Sequence, residues 1–256
     1  MASCVQIESS SLPNARCVPH RRRSILNSEG IPVTMQIGIV GRDGIVLASD
    51  TQWTSVVYRT QDAQPIGRPM RYIKHSTKIK TNDKIAVSYA QDKETSYDTA
   101  EAILARFPCE NPEAAIREIA ESIPSEDRRD VQGLIAVPPF ELFRFQIAWE
   151  NGEWTPSCEP DSQFDIAGDT ANPSMFWIHR FYQAWLTVEQ LIPLAAHLIT
   201  SSHLVNTGGI GGLEIATCKV DEITLLPRER TIELAKEAWE RDTAITEMIF
   251  GKGVSL

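Results

Sequence analysis

The chain has 256 residues, 42% hydrophobic and 23% charged, with a formal net charge of −9 at pH 7; this is the profile of a globular chain large enough for a substantial core. The greasiest segment, Leu191 to Leu204, is interrupted by Pro193, His197 and His203 and falls short of the roughly 20 apolar residues of a spanning helix. No membrane partner is therefore expected, and the acidic balance without a basic stripe argues against nucleic acid.

Five scattered cysteines without a C-x-x-C pair and five histidines without H-x-x-x-H spacing suggest neither a disulfide framework nor a metal site. The expectation is a reducing, cytoplasmic compartment and no cofactor.

Residues 1–33 are rich in Ser, Pro and Asn and show no hydrophobic period. Four arginines there stand against Glu8 and Glu29, so this stretch carries +2 and the rest of the chain −11. Arg21-Arg22-Arg23 is followed only by Ser-Ile-Leu-Asn, not by the apolar run of an export signal. The stretch reads as a leader, a propeptide, a disordered tail or upstream sequence, ahead of a domain over 34–256.

From Thr34 the pattern changes to two short β-rich runs within Met35 to Asp50, separated by a turn containing Asp43-Gly44, a hairpin signal. A second hairpin is expected over Lys78 to Ala90 with Asn82-Asp83 at its bend. Residues 51–76, broken by Pro65, Gly67 and Pro69, read as a long loop or an irregular strand pair. Tyr97, Ala100, Ile103, Leu104 and Phe107 then share a helical face, and Asn111-Pro112 supplies a cap and first helical residue for another helix ending before Pro124. Strands follow over Val131 to Val137, Leu142 to Trp149 and Phe164 to Ala167. A second helix pair starts near Pro173 and at Thr187, whose spacing to Gln190 is that of a capping box, with a kink expected at Pro193. Leu213 to Val220 and Ile223 to Leu226 form a closing hairpin, and a charged helix of about 20 residues begins at Arg228. The order predicts an α+β domain of two stacked antiparallel sheets with helices outside.

A threonine opening the first strand, an aspartate ending the first hairpin and a lysine opening the second make a chemically meaningful set: Thr34, Asp50 and Lys78. If the chain begins at Thr34, its α-amine, with an ordinary pKa of about 7.7–8.0, can serve as base toward the hydroxyl of the same residue. Lys78 would favour the neutral amine and Asp50 would hold the ammonium in place.

These residues resemble the β-type subunits of the proteasome and their bacterial relatives, within the N-terminal nucleophile hydrolases. The carrying segments are Thr34 to Asp50, Thr77-Lys78-Ile79 and Asn82 to Ala90, continued more weakly by Phe164 to Asp169 and Asn206 to Gly209. The resemblance implies a four-layer αββα sandwich, Thr34 as nucleophile, Asp50 and Lys78 as its partners, and an oxyanion-binding N–H near Gln91. It also implies a supporting site at Gly168-Asp169 and another at Thr207. The family has Gly before the nucleophile where this chain has Val33, Ala-Gly-Gly where it has Ala90-Gln91-Asp92, an Asp at Leu204 and a Ser at Thr207. The activity implied is threonine-type hydrolysis of peptide bonds, with peptide or unfolded polypeptide as substrate, a ring-shaped homo-oligomer and an unfolding ATPase as partner. Two alternatives stand beside it: a non-catalytic subunit of the same fold, and a small-molecule amidase of the N-terminal nucleophile class. Phe176, Trp177, Phe181, Tyr182 and Trp185 are expected to pack a helix, with subunit contact as the sharper reading.

Overall fold

The computed structural model describes residues 34–252 except 62–63, 92, 125–128, 151–152 and 207–208. The chain divides into two units, Met1–Gly30 and Ile31–Leu256, and the described residues all belong to the second.

Two five-stranded antiparallel sheets carry the domain. The first has the order β10-β1-β2-β11-β12, from β1 (Met35–Gly41), β2 (Gly44–Ser49), β10 (Phe164–Gly168), β11 (Glu214–Lys219) and β12 (Glu222–Leu225). The second, β5-β6-β7-β8-β9, comprises β5 (Ile79–Thr81), β6 (Ala86–Gln91), β7 (Val131–Val137), β8 (Glu141–Glu150) and β9 (Glu153–Asp161). The strands β3 (Gln52–Gln61) and β4 (Gln64–His75) pair only with each other, as a ribbon with a register shift between Val57 and Arg59. Thus residues 51–76, read as a loop or an irregular strand pair, form a long two-stranded ribbon.

The layers follow from alternation. Along β2, Ile45 and Leu47 point to one face and Val46 and Ala48 to the other, and all four are buried. That burial on both sides is why the run is continuously apolar rather than alternating with polar residues. Ile45 and Leu47 join Ile79, Ala86, Leu134, Ala136 and Leu142 between the sheets. On the outer face of the first sheet, Ile37, Ile39, Val46 and Ile215 pack on Ile178 of α3 (Phe176–Phe181), on α4 (Val188–Val205) through Leu191, Ala195 and Ile199, and on Leu234 of α5 (Arg228–Phe250). The outer face of the second sheet packs Val87, Tyr89, Ile135 and Phe145 on Ala100 and Ile103 of α1 (Lys93–Arg106) and on Ile116 and Ile119 of α2 (Pro112–Ser122). The result is a four-layer αββα sandwich.

Local signals account for the boundaries. The Asn111 carboxamide accepts from the Ala114 N–H with Pro112 opening α2, and Thr187 and Gln190 complete a reciprocal capping box at the start of α4. α4 runs through Pro193 as one helix. Three details differ from the sequence reading. β9 has no counterpart among the predicted elements, because Pro156 and Pro160 break its pattern; it is an edge strand, where a missing N–H costs least. Tyr97 is 45% exposed, turned from the core onto the edge of Tyr89 and the Lys80 ammonium. α3 is short and follows a 3-10 turn over Pro173–Met175.

Candidate active site

The first hairpin brings the end of β2 back to the start of β1. Asp50 N–H donates to the Met35 carbonyl at 3.1 Å, and Met35 N–H donates to Asp50 Oδ1 at 3.0 Å. A second backbone donor, Gln52 N–H, reaches Asp50 Oδ2 at 3.0 Å, so the carboxylate is fixed from both sides. Thr34, immediately before Met35, is thereby held beside it.

Lys78 enters from the connection between β4 and β5. Its Nζ donates to Thr34 Oγ1 at 2.8 Å and lies 3.1 and 3.0 Å from Asp50 Oδ1 and Oδ2. Lys78 and Asp50 are fully buried, and Thr34 is 9% exposed. Burial moves both charged groups toward their neutral forms, the carboxyl upward and the ammonium downward; their mutual attraction, and the two backbone donors to Asp50, act in the opposite sense. The Trp53 ring, at the foot of the ribbon, has its centroid 5.0 Å from the same Nζ. An ion pair so enclosed is worth keeping only with every hydrogen bond in place, and here Asp50 has donors on both oxygens.

On the other side of Thr34, β10 supplies Gly168 and Asp169. The Thr34 carbonyl accepts the Asp169 N–H at 2.8 Å. Gly168 has φ +93°, and a Cβ there would lie 1.9 Å from that same carbonyl oxygen, so only glycine permits the approach. The Asp169 carboxylate accepts from Asn172 Nδ2 at 3.0 Å, and Asn172 caps the 3-10 turn. Asp169 therefore meets Thr34 through its backbone and braces the following cap with its side chain.

Gln91 ends β6, opposite Val131, with an exposed side chain and φ +87°. A non-glycine residue in that region is strained, and it stands where the resembled family has glycine. Thr207 lies outside the described residues. Thr34, Asp50 and Lys78 are thus brought into direct contact, Asp169 touches Thr34 by its N–H, and Gln91 sits at the end of the strand whose Tyr89 N–H bonds the Lys78 carbonyl at 3.0 Å.

One participant escaped the sequence reading. Glu214 opens β11 and accepts from Lys78 N–H at 2.8 Å and Ile79 N–H at 2.9 Å. A carboxylate heading a strand that otherwise faces a buried layer was the only signal, and it is a weak one.

Elsewhere, His197 is buried against the edge of Trp177 and lies 3.4 Å from Asp242, and His203 Nδ1 lies 2.5 Å from the Ile210 carbonyl oxygen. Among the described residues no cluster of His, Cys, Asp and Glu could hold a metal ion, and no helix is long and apolar enough to cross a membrane.

No family model matches the chain, and no curated protein is recognisably similar to it in sequence. Among solved structures it is similar to the Anbu (Gly-1) mutant from Hyphomicrobium sp. strain MC1, with 15% identity and a TM-score of 0.53. It is likewise similar to Anbu (ancestral beta-subunit) from Yersinia bercovieri, at 12% and 0.52, and to the helical assembly of the Anbu complex from Pseudomonas aeruginosa, at 13% and 0.53. Each alignment covers 87% of this chain and 98 to 99% of the other. At these identities the likeness is one of fold, and that fold is the proteasome-like one of the N-terminal nucleophile hydrolases.

Proposed function

We propose that this chain is a proteasome-like threonine peptidase whose nucleophile is Thr34. One observation carries the reading: a buried lysine ammonium 2.8 Å from a strand-opening threonine hydroxyl, itself tied to a buried aspartate at 3.0 Å. As an ordinary strand residue, Thr34 would not need so costly a neighbour.

In the proposed reaction the peptide bond before Thr34 has been cut, freeing its α-amine. Thr34 Oγ attacks the substrate carbonyl as its proton passes to that amine, and the oxyanion is received by a backbone N–H at Gln91. Collapse breaks the C–N bond, the amine of the leaving peptide takes the proton, and an ester on Thr34 remains. Water, deprotonated by the same α-amine, then hydrolyses the ester and restores the hydroxyl. Throughout, the Lys78 ammonium favours negative charge on Oγ and the neutral form of the α-amine. Asp50 holds Lys78.

A homo-oligomer forms part of this reading, as does a peptide or unfolded polypeptide substrate fed by an unfolding ATPase. One similar structure is described as a helical assembly, and the exposed rings of Phe176, Phe181 and Trp185 offer an apolar face. The test is turnover of fluorogenic peptides by the purified chain, with Thr34→Ala as control. The reading expects turnover that this substitution abolishes; turnover that survives it would refute Thr34 as nucleophile.

A further inference from the structure

The segment that carries Lys78 belongs to no strand. Residues 76–78 lie between β4 and β5 without ladder pairing of their own, yet the ammonium at the end of this lysine must reach two partners at once. The Ser76 N–H donates to the Thr51 carbonyl at 2.9 Å, and the backbone around Lys78 is held by two further groups. On one side the Lys78 carbonyl accepts the Tyr89 N–H at 3.0 Å, and the Tyr89 hydroxyl donates to the Thr77 carbonyl at 3.2 Å. On the other side stands Glu214, from the opposite sheet. Its Oε2 accepts from both the Lys78 and the Ile79 N–H, at 2.8 and 2.9 Å, and its Oε1 lies 2.5 Å from the Thr77 hydroxyl.

We propose that Glu214 is the positioning residue for the Lys78 ammonium: by gripping Thr77, Lys78 and Ile79, where the connection enters β5, its carboxylate fixes the point from which Nζ reaches Thr34 and Asp50. This rests on the reading of Thr34 as nucleophile. Charge-assisted bonds to backbone N–H groups are the stronger class, and this one carboxylate has a donor on each oxygen. It also ties β11 to the edge of the second sheet beside the site. Its charge acts on Lys78 as well, favouring the ammonium alongside Asp50. An amide of the same shape keeps one oxygen for the two N–H groups but loses the charge that strengthens those bonds, and it turns an NH2 toward the Thr77 hydroxyl, which then donates to the Ile79 carbonyl 2.9 Å away.

The experiment compares Glu214→Gln, Glu214→Asp and Thr77→Val in the full chain. It reads acylation of Thr34 by a peptide β-lactone against pH, the thermal midpoint, and the ¹³C shift of the Lys78 ε-methylene across the titration. Glu214→Gln should slow acylation by roughly 10- to 100-fold, the penalty of a small misplacement. It should also move the alkaline limb, where Lys78 loses its proton, to lower pH. Glu214→Asp keeps the charge and shortens the reach, so acylation slows while the limb stays; Thr77→Val, losing one donor of three, slows it least.

A merely structural glutamate would lower the thermal midpoint without moving the limb, and that result, or wild-type acylation in both Glu214 variants, overturns the inference. Should Glu214→Gln fail to fold, Glu214→Asp decides alone, by slowed acylation or its absence. If the wild-type chain is not acylated at Thr34, the reading of the nucleophile has failed; the Lys78 shift still reports whether Glu214 positions the lysine, and an unmoved shift in Glu214→Gln overturns that.

Discussion

Gly168 and Thr34 approach so closely across β10 and β1 that a methyl group on the glycine would lie 1.9 Å from the threonine carbonyl oxygen. With φ at +93° the backbone there also disfavours any side chain. Gly168→Ala should therefore destabilise the fold by about 1–3 kcal/mol and displace Thr34 from Lys78. Thermal denaturation and peptide turnover, measured on the same preparation, should both fall.

Removing Lys78 should do more than stop the chemistry. Lys78→Met leaves the Asp50 carboxylate buried without its cation, a loss of about 3–5 kcal/mol in comparable buried pairs. The variant should be inactive and less stable in urea at neutral pH. Lys78→Met combined with Asp50→Asn should recover part of that stability but none of the activity, as a double-mutant cycle would read directly.

At the end of β6, Gln91 holds φ +87°, a conformation that glycine adopts freely. Gln91→Gly should be neutral to stabilising, by up to about 1 kcal/mol, relief of strain being partly offset by the freer unfolded chain. By opening the approach to the site it should raise peptide turnover. Gln91→Val, β-branched, should destabilise and slow turnover; urea titration and steady-state kinetics check both.

Cys218 lies between the sheets, and burial pushes its thiol up to about 12 from an ordinary 9.0. Between those pH values the unfolded chain sheds a proton that the folded chain keeps. The thiol's contribution is therefore intact below pH 9 and lost as pH rises toward 12, with a slope of about 1.4 kcal/mol per pH unit. Urea denaturation between pH 8 and 10.5 should show the decline, and Cys218→Ala should flatten it. The same burial predicts that iodoacetamide modifies Cys218 only after unfolding.

The ring set from Phe176 to Trp185 divides in the structure. Trp177 stacks on Phe181 and meets His197, and the Tyr182 hydroxyl bonds the Val40 carbonyl at 3.0 Å. Phe176, Phe181 and Trp185 remain 60, 51 and 63% exposed. A homo-oligomer using this face should bury about 800 Å² per partner, and Trp185→Glu should shift its sedimentation toward smaller species. A clean monomer of the unmutated chain at micromolar concentration would contradict the assembly.

What the sequence made legible was local. The β1–β2 hairpin, the Asn111 cap and the Thr187–Gln190 box each depend on residues a few positions apart, and their chemistry is written in order. Thr34, Asp50 and Lys78 could be nominated because each marks the beginning or end of a hairpin. β9 was hidden by Pro156 and Pro160, whose cost depends on lying at a sheet edge, a fact no local pattern states. Glu214 was hidden because it meets Lys78 from 136 residues away; Gln91 was named through the resemblance, but its left-handed backbone was not, because nothing in a glutamine announces one.

The most direct test of the central claim is an intact-mass measurement with N-terminal sequencing on active protein treated with a peptide β-lactone. The account predicts a chain that begins at Thr34 and carries one acyl group on that residue, absent in Thr34→Ala. Full-length chain alone, turning over peptide with no adduct at Thr34, would contradict it.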